Sequence, residues 1–366
     1  PLFCKGIGII RMERRLAIKG IDLAKIDVLL DVMVQHKASD LHISAGTPPM
    51  LRIDGELQRT KYHDLSPKEV EILLLELMDD EQLKLLKDKM DIDFAYEIEG
   101  VARFRANVFM ERNGYGGAFR LIPTKINTIR ELALPESVQT LAGVPNGLVL
   151  VTGPTGSGKS TTLAAMINLM NKEKNYHIIT LEDPIEFIHS KGKCLIHQRQ
   201  LGFHVKTFAS GLRAALREDP DVILVGEMRD FETIQLGLTA AETGLLVLGT
   251  LHTCSAAQTI DRIIDVFPTA QQPQIRTMLS ESLRGVIAQL LLRKADGKGR
   301  IAAVEVMISN QAIKNLIREE KTYQILSVMQ TGKSQGMQTM ENHMKYLVEK
   351  ELVKEDEVAA YLKETE

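Results

Sequence analysis

The sequence is poor in cysteine and has no large excess of charge of either sign. Among its 366 residues only Cys4, Cys194 and Cys254 are cysteines, and no two of them form a CxxC pair. This argues against a disulfide framework and against a tetracysteine zinc site, and it fits a reducing, cytoplasmic setting. The 45 basic and 48 acidic residues give a formal net charge of −3. No overall basic field therefore favours nucleic acid as a partner.

Long hydrophobic runs are also missing. Apolar stretches such as 147–152 and 245–251 are far shorter than the roughly 18 residues that a membrane-spanning helix needs. The opening residues 1–10 lack a preceding basic region and a small-residue cleavage site, so we do not expect a signal peptide. With 44% hydrophobic and 25% charged residues, the composition is typical of a globular protein, and the length suggests two domains.

The first third of the sequence predicts a small α+β domain with an antiparallel sheet. Apolar residues at helical spacing predict a helix over residues 22–36, and alternating residues over 41–53 predict two strands around a turn. Ser66 and Pro67 are a typical N-cap and first helical residue, and the helix that they begin is expected to run through Leu86. Alternating segments then predict a hairpin and a third strand, at 92–98, 101–110 and 116–121.

The pattern changes after Pro123. Short β-rich runs alternate with helical segments, which is typical of a mostly parallel sheet covered by helices. The predicted strands are 148–151, 177–181, 222–225 and 245–250, and a further apolar segment, 301–308, precedes helical patterns that continue to the end. The expected organisation is an N-terminal extension (1–21), an α+β domain (22–122), a linker (123–145), an α/β core (146–308) and a C-terminal helical region (309–366).

A strand, a glycine-rich loop and a helix follow one another at the strongest motif of the sequence. Residues 153–161 read GPTGSGKST and fit GxxxxGK[ST], directly after the strand 148–151. Glycines let backbone N–H groups turn toward phosphate oxygens, Lys159 reaches the outer phosphates and Ser160 ligates Mg²⁺. The predicted nucleotide-binding residues are Gly153, Thr155, Gly156, Ser157, Gly158, Lys159, Ser160 and Thr161.

Polar side chains follow three of the predicted strands, at the sheet edge where an α/β fold binds its ligand. Glu227 comes after the run 222–225 and is predicted to lie beside the metal as a ligand or to position water. Glu182 and Glu186 follow the strand 177–181, and either could be the base that a water attacking the γ-phosphoryl group needs. His252 follows the strand 245–250, where a structural role and a nucleotide-sensing role both explain it.

Four segments together closely resemble the secretion ATPase superfamily, which drives type II secretion and type IV pili. They are GPTGSGKST at 153–161, ITLEDPIE at 179–186, LREDPDVILVGEMRD at 216–230 and LGTLHT at 248–253, which correspond to its Walker A, Asp box, Walker B and His box. Downstream, AIKNLIRE at 312–319 resembles the AIRNLIRE motif of pilus retraction ATPases of the PilT type, with Lys314 in place of arginine. The resemblance covers nearly the whole chain from about residue 22.

The resemblance implies a RecA-like P-loop ATPase core, a smaller PAS-like α+β domain before it and C-terminal helices after it. It implies that Glu186 is the water-activating base, that Glu227 acts at the Mg²⁺ side and that His252 links nucleotide state to conformation. It also places arginines of the N-terminal domain against the nucleotide, where a guanidinium at the γ-phosphate accelerates hydrolysis. The arginines on the matching strands are Arg103, Arg105 and Arg120.

Within the superfamily, the lack of a tetracysteine site and of a long additional N-terminal domain favours the retraction motors. The resemblance thus implies a hexamer that uses ATP and Mg²⁺ to drive pilus retraction and twitching motility. Such a motor is cytoplasmic and acts at the inner membrane on the pilus platform protein and the pilus machinery, without nucleic acid. The polar face of the helix 312–319 is expected to engage a partner or a neighbouring domain.

Two other functions stay open from the sequence. One is a regulatory scaffold that binds ATP and hydrolyses it negligibly, which the presence of both Glu186 and Glu227 disfavours, because a pure binder needs no water-activating carboxylate. The other is a ring ATPase that translocates nucleic acid, since related P-loop folds do this work. The balanced charge of the chain argues against the latter.

Overall fold

The fold was analysed in a computed structural model, which describes residues 25–53, 55–122 and 125–364 and their side chains as far as residue 359. The chain divides into two compact units, with the boundary between Thr124 and Lys125. The predicted extension 1–21 and the first residues of the predicted helix 22–36 lie outside the described residues. Across the described part of the chain, no helix has both the length and the apolar character needed to cross a bilayer.

The N-terminal unit contains an antiparallel sheet, with six strands in residues 25–53 and 55–122. The strands are β1 (Asp40–Ser44), β2 (Met50–Ile53), β3 (Glu56–Arg59), β4 (Asp91–Ile98), β5 (Ala102–Glu111) and β6 (Gly114–Ile122). Their order in the sheet is β3-β2-β1-β6-β5-β4. The predicted hairpin is confirmed as β4 and β5, which pair through Ile98 and Ala102 beside the turn, and the third predicted strand is β6.

The helices of this unit are α1 (Asp27–Gln35), α2 (Pro67–Leu75) and α3 (Asp80–Lys89). Ser66 caps α2 by accepting a hydrogen bond from the backbone N–H of Glu69 at 3.3 Å. The prediction of one helix from Ser66 through Leu86 was wrong, because Asp79 accepts a hydrogen bond from Gln82 N at 2.8 Å and starts a new helix. An aspartate side chain competes with helical bonding in this way and favours the N-cap position.

The core of the N-terminal unit lies on one face of its sheet, against the helices. Successive residues of β5 alternate between buried and partly exposed positions, with Phe104 fully buried. Phe104 and Phe119 pack in one cluster with Leu30 of α1 and Leu74 of α2. Because side chains of a strand alternate between its faces, the polar residues of β5 point away from this core.

The C-terminal unit contains a sheet of seven strands, counted over residues 125–364. They are β7 (Gly147–Thr152), β8 (His177–Glu182), β9 (Leu195–Gln200), β10 (Val222–Val225), β11 (Leu246–Leu251), β12 (Leu283–Arg293) and β13 (Arg300–Ile308). Their order is β13-β12-β7-β11-β10-β8-β9. All neighbouring strands are parallel except β12 and β13. The prediction of a mostly parallel sheet is confirmed.

Helices cover both faces of this sheet. They are α4 (Glu136–Ala142), α5 (Lys159–Glu173), α6 (Phe208–Ala215), α7 (Phe231–Glu242), α8 (Ala256–Asp265), α9 (Gln272–Ser282), α10 (Gln311–Arg318), α11 (Ile325–Thr331), α12 (Met340–Glu349) and α13 (Glu355–Glu364). Leu148 and Leu150 of β7 belong to one apolar cluster and Val149 and Val151 to a second. All six residues of β7 are buried, as expected for a parallel strand covered on both faces.

Three features of the C-terminal unit differ from the sequence-based prediction. The strand β9 is an edge strand of mixed exposure with no apolar run, so it was missed. The strand β12 was also missed, because it follows α9 directly, with no residue between Ser282 and Leu283 to mark a turn. Part of the segment 123–145, predicted as a linker, forms α4, whose Val138 and Leu141 are buried in the core of this unit.

The chain after α11 covers the outer edge of the sheet at β13. Gln338 pairs with Val306 as an antiparallel bridge, and its Nε2 donates to the carbonyl oxygen of Val304 at 2.9 Å. The N–H of Val304 donates to Nδ1 of His343, on α12, at 2.9 Å. These bonds satisfy backbone groups that an edge strand would otherwise leave unpaired. They also attach α12 to the sheet.

Candidate active site

The glycine-rich loop connects the end of β7 to the start of α5. Residues 153–158 form the connection and Lys159 begins the helix. Gly153, Gly156 and Gly158 have φ angles of 140°, 79° and 89°, which residues with a Cβ rarely adopt. The predicted order of strand, loop and helix is confirmed, and the backbone conformation itself explains the three glycines.

The start of α5 has the properties of an anion-binding site. Its first N–H groups have no partner within the helix, and they point toward the loop with the positive end of the helix dipole. Ser160 and Thr161 lie partly exposed in this first turn, and Thr155 is exposed on the loop. The Oγ of Ser157 is buried with no hydrogen-bond partner among the described residues. The backbone N–H donors fit the phosphates of a nucleotide, and the hydroxyl of Ser160 beside them fits Mg²⁺.

Lys159 lies between the loop and the carboxylates predicted from the sequence. Its Nζ donates to the carbonyl oxygens of Gly153 at 2.7 Å and Pro154 at 3.0 Å. Burial lowers the pKa of Lys159, and the nearby carboxylates of Glu227 and Glu186 oppose that shift. The structure therefore brings both predicted carboxylates into the electrostatic environment of the loop lysine.

Glu227 and His252 meet because β10 and β11 are neighbouring parallel strands whose carboxyl ends lie together. The Nε2 of His252 is 3.0 Å from Oε1 of Glu227, and Arg229 forms an ion pair with the same carboxylate. The side chain of Glu227 is 18% exposed, so solvent still reaches it, and His252 and Arg229 both hold its carboxylate. The contact links the His box directly to the Walker B carboxylate.

The two acidic residues after β8 have different environments. Glu182 is partly buried, and burial raises the pKa of its carboxylate; it accepts hydrogen bonds from Thr180 Oγ1 at 2.6 Å and Gln198 Nε2 at 3.1 Å. Glu186 is exposed, and its backbone N–H donates to Glu182. Glu182 therefore has a structural role in shaping the turn, which leaves Glu186 as the candidate base of the pair.

Two buried polar residues near the site were missed in the sequence. Gln289, in β12, contacts the glycine-rich loop, and no motif marks it. Glu305, in β13, accepts a hydrogen bond from the N–H of Ala256 at 2.8 Å and another from the N–H of Met340, and burial raises its pKa. It thus caps both α8, which follows the His box, and α12. A lone acid within the apolar run 301–308 was the signal that could have revealed it.

The three predicted arginines lie together on the sheet face of the N-terminal unit that points away from its core. Arg103 and Arg105 are two residues apart on β5, and Arg120 on β6 is directly opposite Arg105. Their acidic neighbours are Glu97 for Arg103 at 3.8 Å, Asp93 for Arg105 at 3.3 Å and Asp40 for Arg120 at 2.8 Å. The arrangement makes one charged face with several guanidinium groups.

The helix that resembles the retraction motif is α10. Its helical spacing predicts that Ile313, Leu316 and Ile317 are buried; Ile313 and Ile317 are buried, and Leu316 is partly buried. Lys314 and Arg318 both form ion pairs with Glu281 of α9, each at 2.9 Å, and this pairing lowers the pKa of Glu281. The basic face of α10 thus has an acidic partner within the same unit.

Comparison with known proteins matches the chain to the family described as Type II/IV secretion system protein, over residues 21–351. It is 54% identical to the type IV pilus retraction ATPase PilT of Pseudomonas aeruginosa, over 90% of this chain and 95% of that protein. It is 52% identical to a twitching motility protein of Neisseria gonorrhoeae, over 87% of this chain and 85% of the relative.

Among solved structures, the fold resembles the crystal structure of the pilus retraction motor PilT with bound ADP. The TM-score is 0.85 and the identity 46%, over 92% of this chain and 96% of that one. Both the sequence match and this structural match extend over the N-terminal and C-terminal units. They confirm the family that the four motifs resemble. The chain therefore belongs to the Type II/IV secretion system protein family.

Proposed function

We propose that this protein is a motor ATPase that couples ATP hydrolysis to the retraction of type IV pili. The observation that carries the proposal is a pair of carboxylates, Glu186 and Glu227, which both raise the pKa of Lys159, together with the 3.0 Å contact between Glu227 and His252. A nucleotide-binding scaffold needs the loop but has no use for a second carboxylate beside it. The similarity to a pilus retraction ATPase over 90% of the chain supports retraction as the work performed.

The loop residues hold the phosphates. Backbone N–H groups of residues 153–158 and of the first turn of α5 bind phosphate oxygens, and Lys159 contacts the outer phosphates. Ser160 and Glu227 are the residues that would hold Mg²⁺. When bound, Mg²⁺ neutralises charge that develops on the phosphate oxygens. Lys159 leaves its loop carbonyls for the phosphate, which satisfies its charge better than neutral oxygens do.

Glu186 acts as the base that orients and deprotonates the attacking water. Its side chain is exposed, so water reaches it, and its carboxylate raises the pKa of Lys159. His252 contacts Glu227 and passes a change at the metal side to α8, which begins four residues later at Ala256. The histidine is thus a link between the nucleotide and the helices beyond it.

The arginine face of the N-terminal unit supplies guanidinium groups to the γ-phosphate, from Arg103, Arg105 or Arg120. In this proposal the protein is a hexamer and domain movement brings an arginine to the nucleotide, so that closure and hydrolysis are coupled. The hexamer acts in the cytoplasm, at the inner membrane, on the platform protein at the pilus base. Each of these arginines has a carboxylate neighbour. Because a guanidinium also pairs with a phosphate, an incoming phosphate would compete with that carboxylate for the arginine.

Phosphate release by the wild type and by Glu186→Gln tests the proposal. We expect the variant to lose about 100-fold or more in rate, while its ADP affinity stays that of the wild type. Glu242→Gln is a matched control. This exposed glutamate is the last residue of the twelve-residue helix α7, at the end far from Glu227. Equal, near-zero rates for wild type and Glu186→Gln would support the scaffold instead. Salt-dependent nucleic-acid binding that stimulates hydrolysis would support a translocase.

A further inference from the structure

Gln289 is a buried carboxamide in the middle of β12, the strand beside β7. The residue is 2% exposed. Its Nε2 donates to the carbonyl oxygen of Ser157 at 2.7 Å, and its Oε1 accepts from Thr162 Oγ1 at 2.7 Å. The carbonyl of Ser157 can only accept, so the amide orientation is determined by its partners. Both ends of the side chain are thus bonded, one to the loop and one to α5.

The loop packs directly on this residue. A Cβ at Gly153 would overlap the backbone carbonyl oxygen of Gln289, and one at Gly158 would lie 2.8 Å from its Nε2. The first and last glycines of the loop are therefore required by contact with β12 as well as by their φ angles. At the middle glycine, Gly156, no atom of the described residues lies within 4 Å of the corresponding position.

The hydrogen bond to Ser157 also determines where the loop points its donors. In a trans peptide the C=O and the following N–H point in opposite directions. The carbonyl of Ser157 is held toward β12, so the N–H of Gly158 points away from β12, to the open side of the loop. That side is where the backbone donors of a phosphate-binding loop must converge.

We propose that Gln289 is a positioning residue for the nucleotide phosphates, which holds the loop in the curvature that aims its N–H groups at them. The inference rests on the proposed function, because it concerns the same nucleotide site. Gln289 does not contact the phosphates; it acts through Ser157 and Thr162. An apolar residue of similar size would fill the same space at β12 without the cost of burying an amide, so the amide serves the loop.

Binding of ADP to purified full-length protein tests this directly. Gln289→Met preserves the side-chain length and removes both hydrogen bonds, and we expect ADP affinity to fall about tenfold. Gln338→Met is the matched control, since it removes one amide-to-carbonyl bond in the same unit at β13, away from the loop. We expect the control to bind ADP like the wild type. A Gln289→Met protein that folds and binds ADP as the control does would overturn the inference.

Two further variants keep the test decisive if Gln289→Met does not fold. Thr162→Val removes only the hydroxyl that orients the amide, and we expect about a threefold loss of affinity. In Gln289→Glu the side chain cannot donate to Ser157 when it is ionised, but it can when it is protonated. Its loss of ADP affinity relative to wild type should therefore become smaller as pH falls from 8 to 6. The inference would be refuted if Thr162→Val bound ADP with wild-type affinity and the loss of ADP affinity in Gln289→Glu did not change with pH.

The outcomes for the two proposals are separable. If the wild type itself fails to bind ADP or ATP at millimolar concentration, the proposed function fails. If the wild type binds and Gln289→Met and Thr162→Val bind equally well, only the role of Gln289 fails.

Discussion

We expect His343, which attaches a C-terminal helix to the sheet, to make the stability of the protein dependent on pH. The imidazole is 4% exposed, and its Nδ1 accepts the N–H of Val304 at 2.9 Å. Burial lowers its pKa from 6.5 to about 4. The folded protein therefore keeps this histidine neutral under conditions in which the unfolded chain protonates it.

The sign and size of the effect follow from linkage. Between pH 6.5 and 4 the unfolded state binds more protons than the folded state, so stability present above pH 6.5 is lost as pH falls. Each pKa unit corresponds to about 1.4 kcal/mol. With these pKa values, the contribution of His343 to the free energy of unfolding falls by about 2 kcal/mol between pH 7 and pH 5, and by about 3 kcal/mol once pH is below 4.

Urea unfolding of wild type and His343→Gln at pH 7 and pH 5, followed by circular dichroism, measures this contribution. Glutamine can accept the Val304 N–H through Oε1 and does not titrate, so we expect the variant to lose about 2 kcal/mol less on acidification than wild type. His189, whose pKa burial also lowers to about 4, is present in both proteins and cancels. Tyr346→Phe, on the same helix, should keep the wild-type pH dependence. Parallel stability changes in wild type and His343→Gln would refute the reasoning.

Two more predictions concern the loop and α10. Gly153→Ala should reduce ADP affinity at least about tenfold, because its Cβ would meet the Gln289 carbonyl oxygen. Gly202 also has a positive φ, of 78°, but no described residue comes within 4 Å of its Cβ position, so Gly202→Ala should bind ADP normally. Equal binding by both variants would argue against tight packing of the loop on β12. Arg318→Ala should abolish pilus retraction in cells and change ADP affinity by no more than about twofold. Lys321→Ala is the control. Normal retraction by Arg318→Ala would show that the basic face of α10 is dispensable.

Local patterns in the sequence were sufficient for the phosphate-binding loop, the parallel strands that carry the site and the antiparallel hairpin before them. A GxxxxGK[ST] segment specifies its own backbone, because glycine spacing and the helix that follows act within nine residues. The alternation over 101–110 likewise predicted β5, and the structure places Arg103 and Arg105 on its polar face. The family resemblance then selected a pilus motor among the functions that a P-loop permits, which no periodicity could do.

Long-range packing decided the rest. Glu182 and Glu186 are four residues apart and looked equivalent in the sequence. The first is partly buried and hydrogen-bonded by Thr180 and by Gln198 of β9, whereas the second is exposed. Gln289 reached the loop only because β12 pairs with β7, although the two are more than one hundred residues apart in the chain.

The sequence by itself determined the chemistry of this protein, since the residues that bind phosphate and carry charge act through local spacing that can be seen in a string of letters. The tertiary structure alone decided which of those residues face one another and what holds them. Strand order and burial depend on contacts between distant segments, and hydrogen bonds such as those of Gln289, Glu305 and His343 form only when that order brings their partners together.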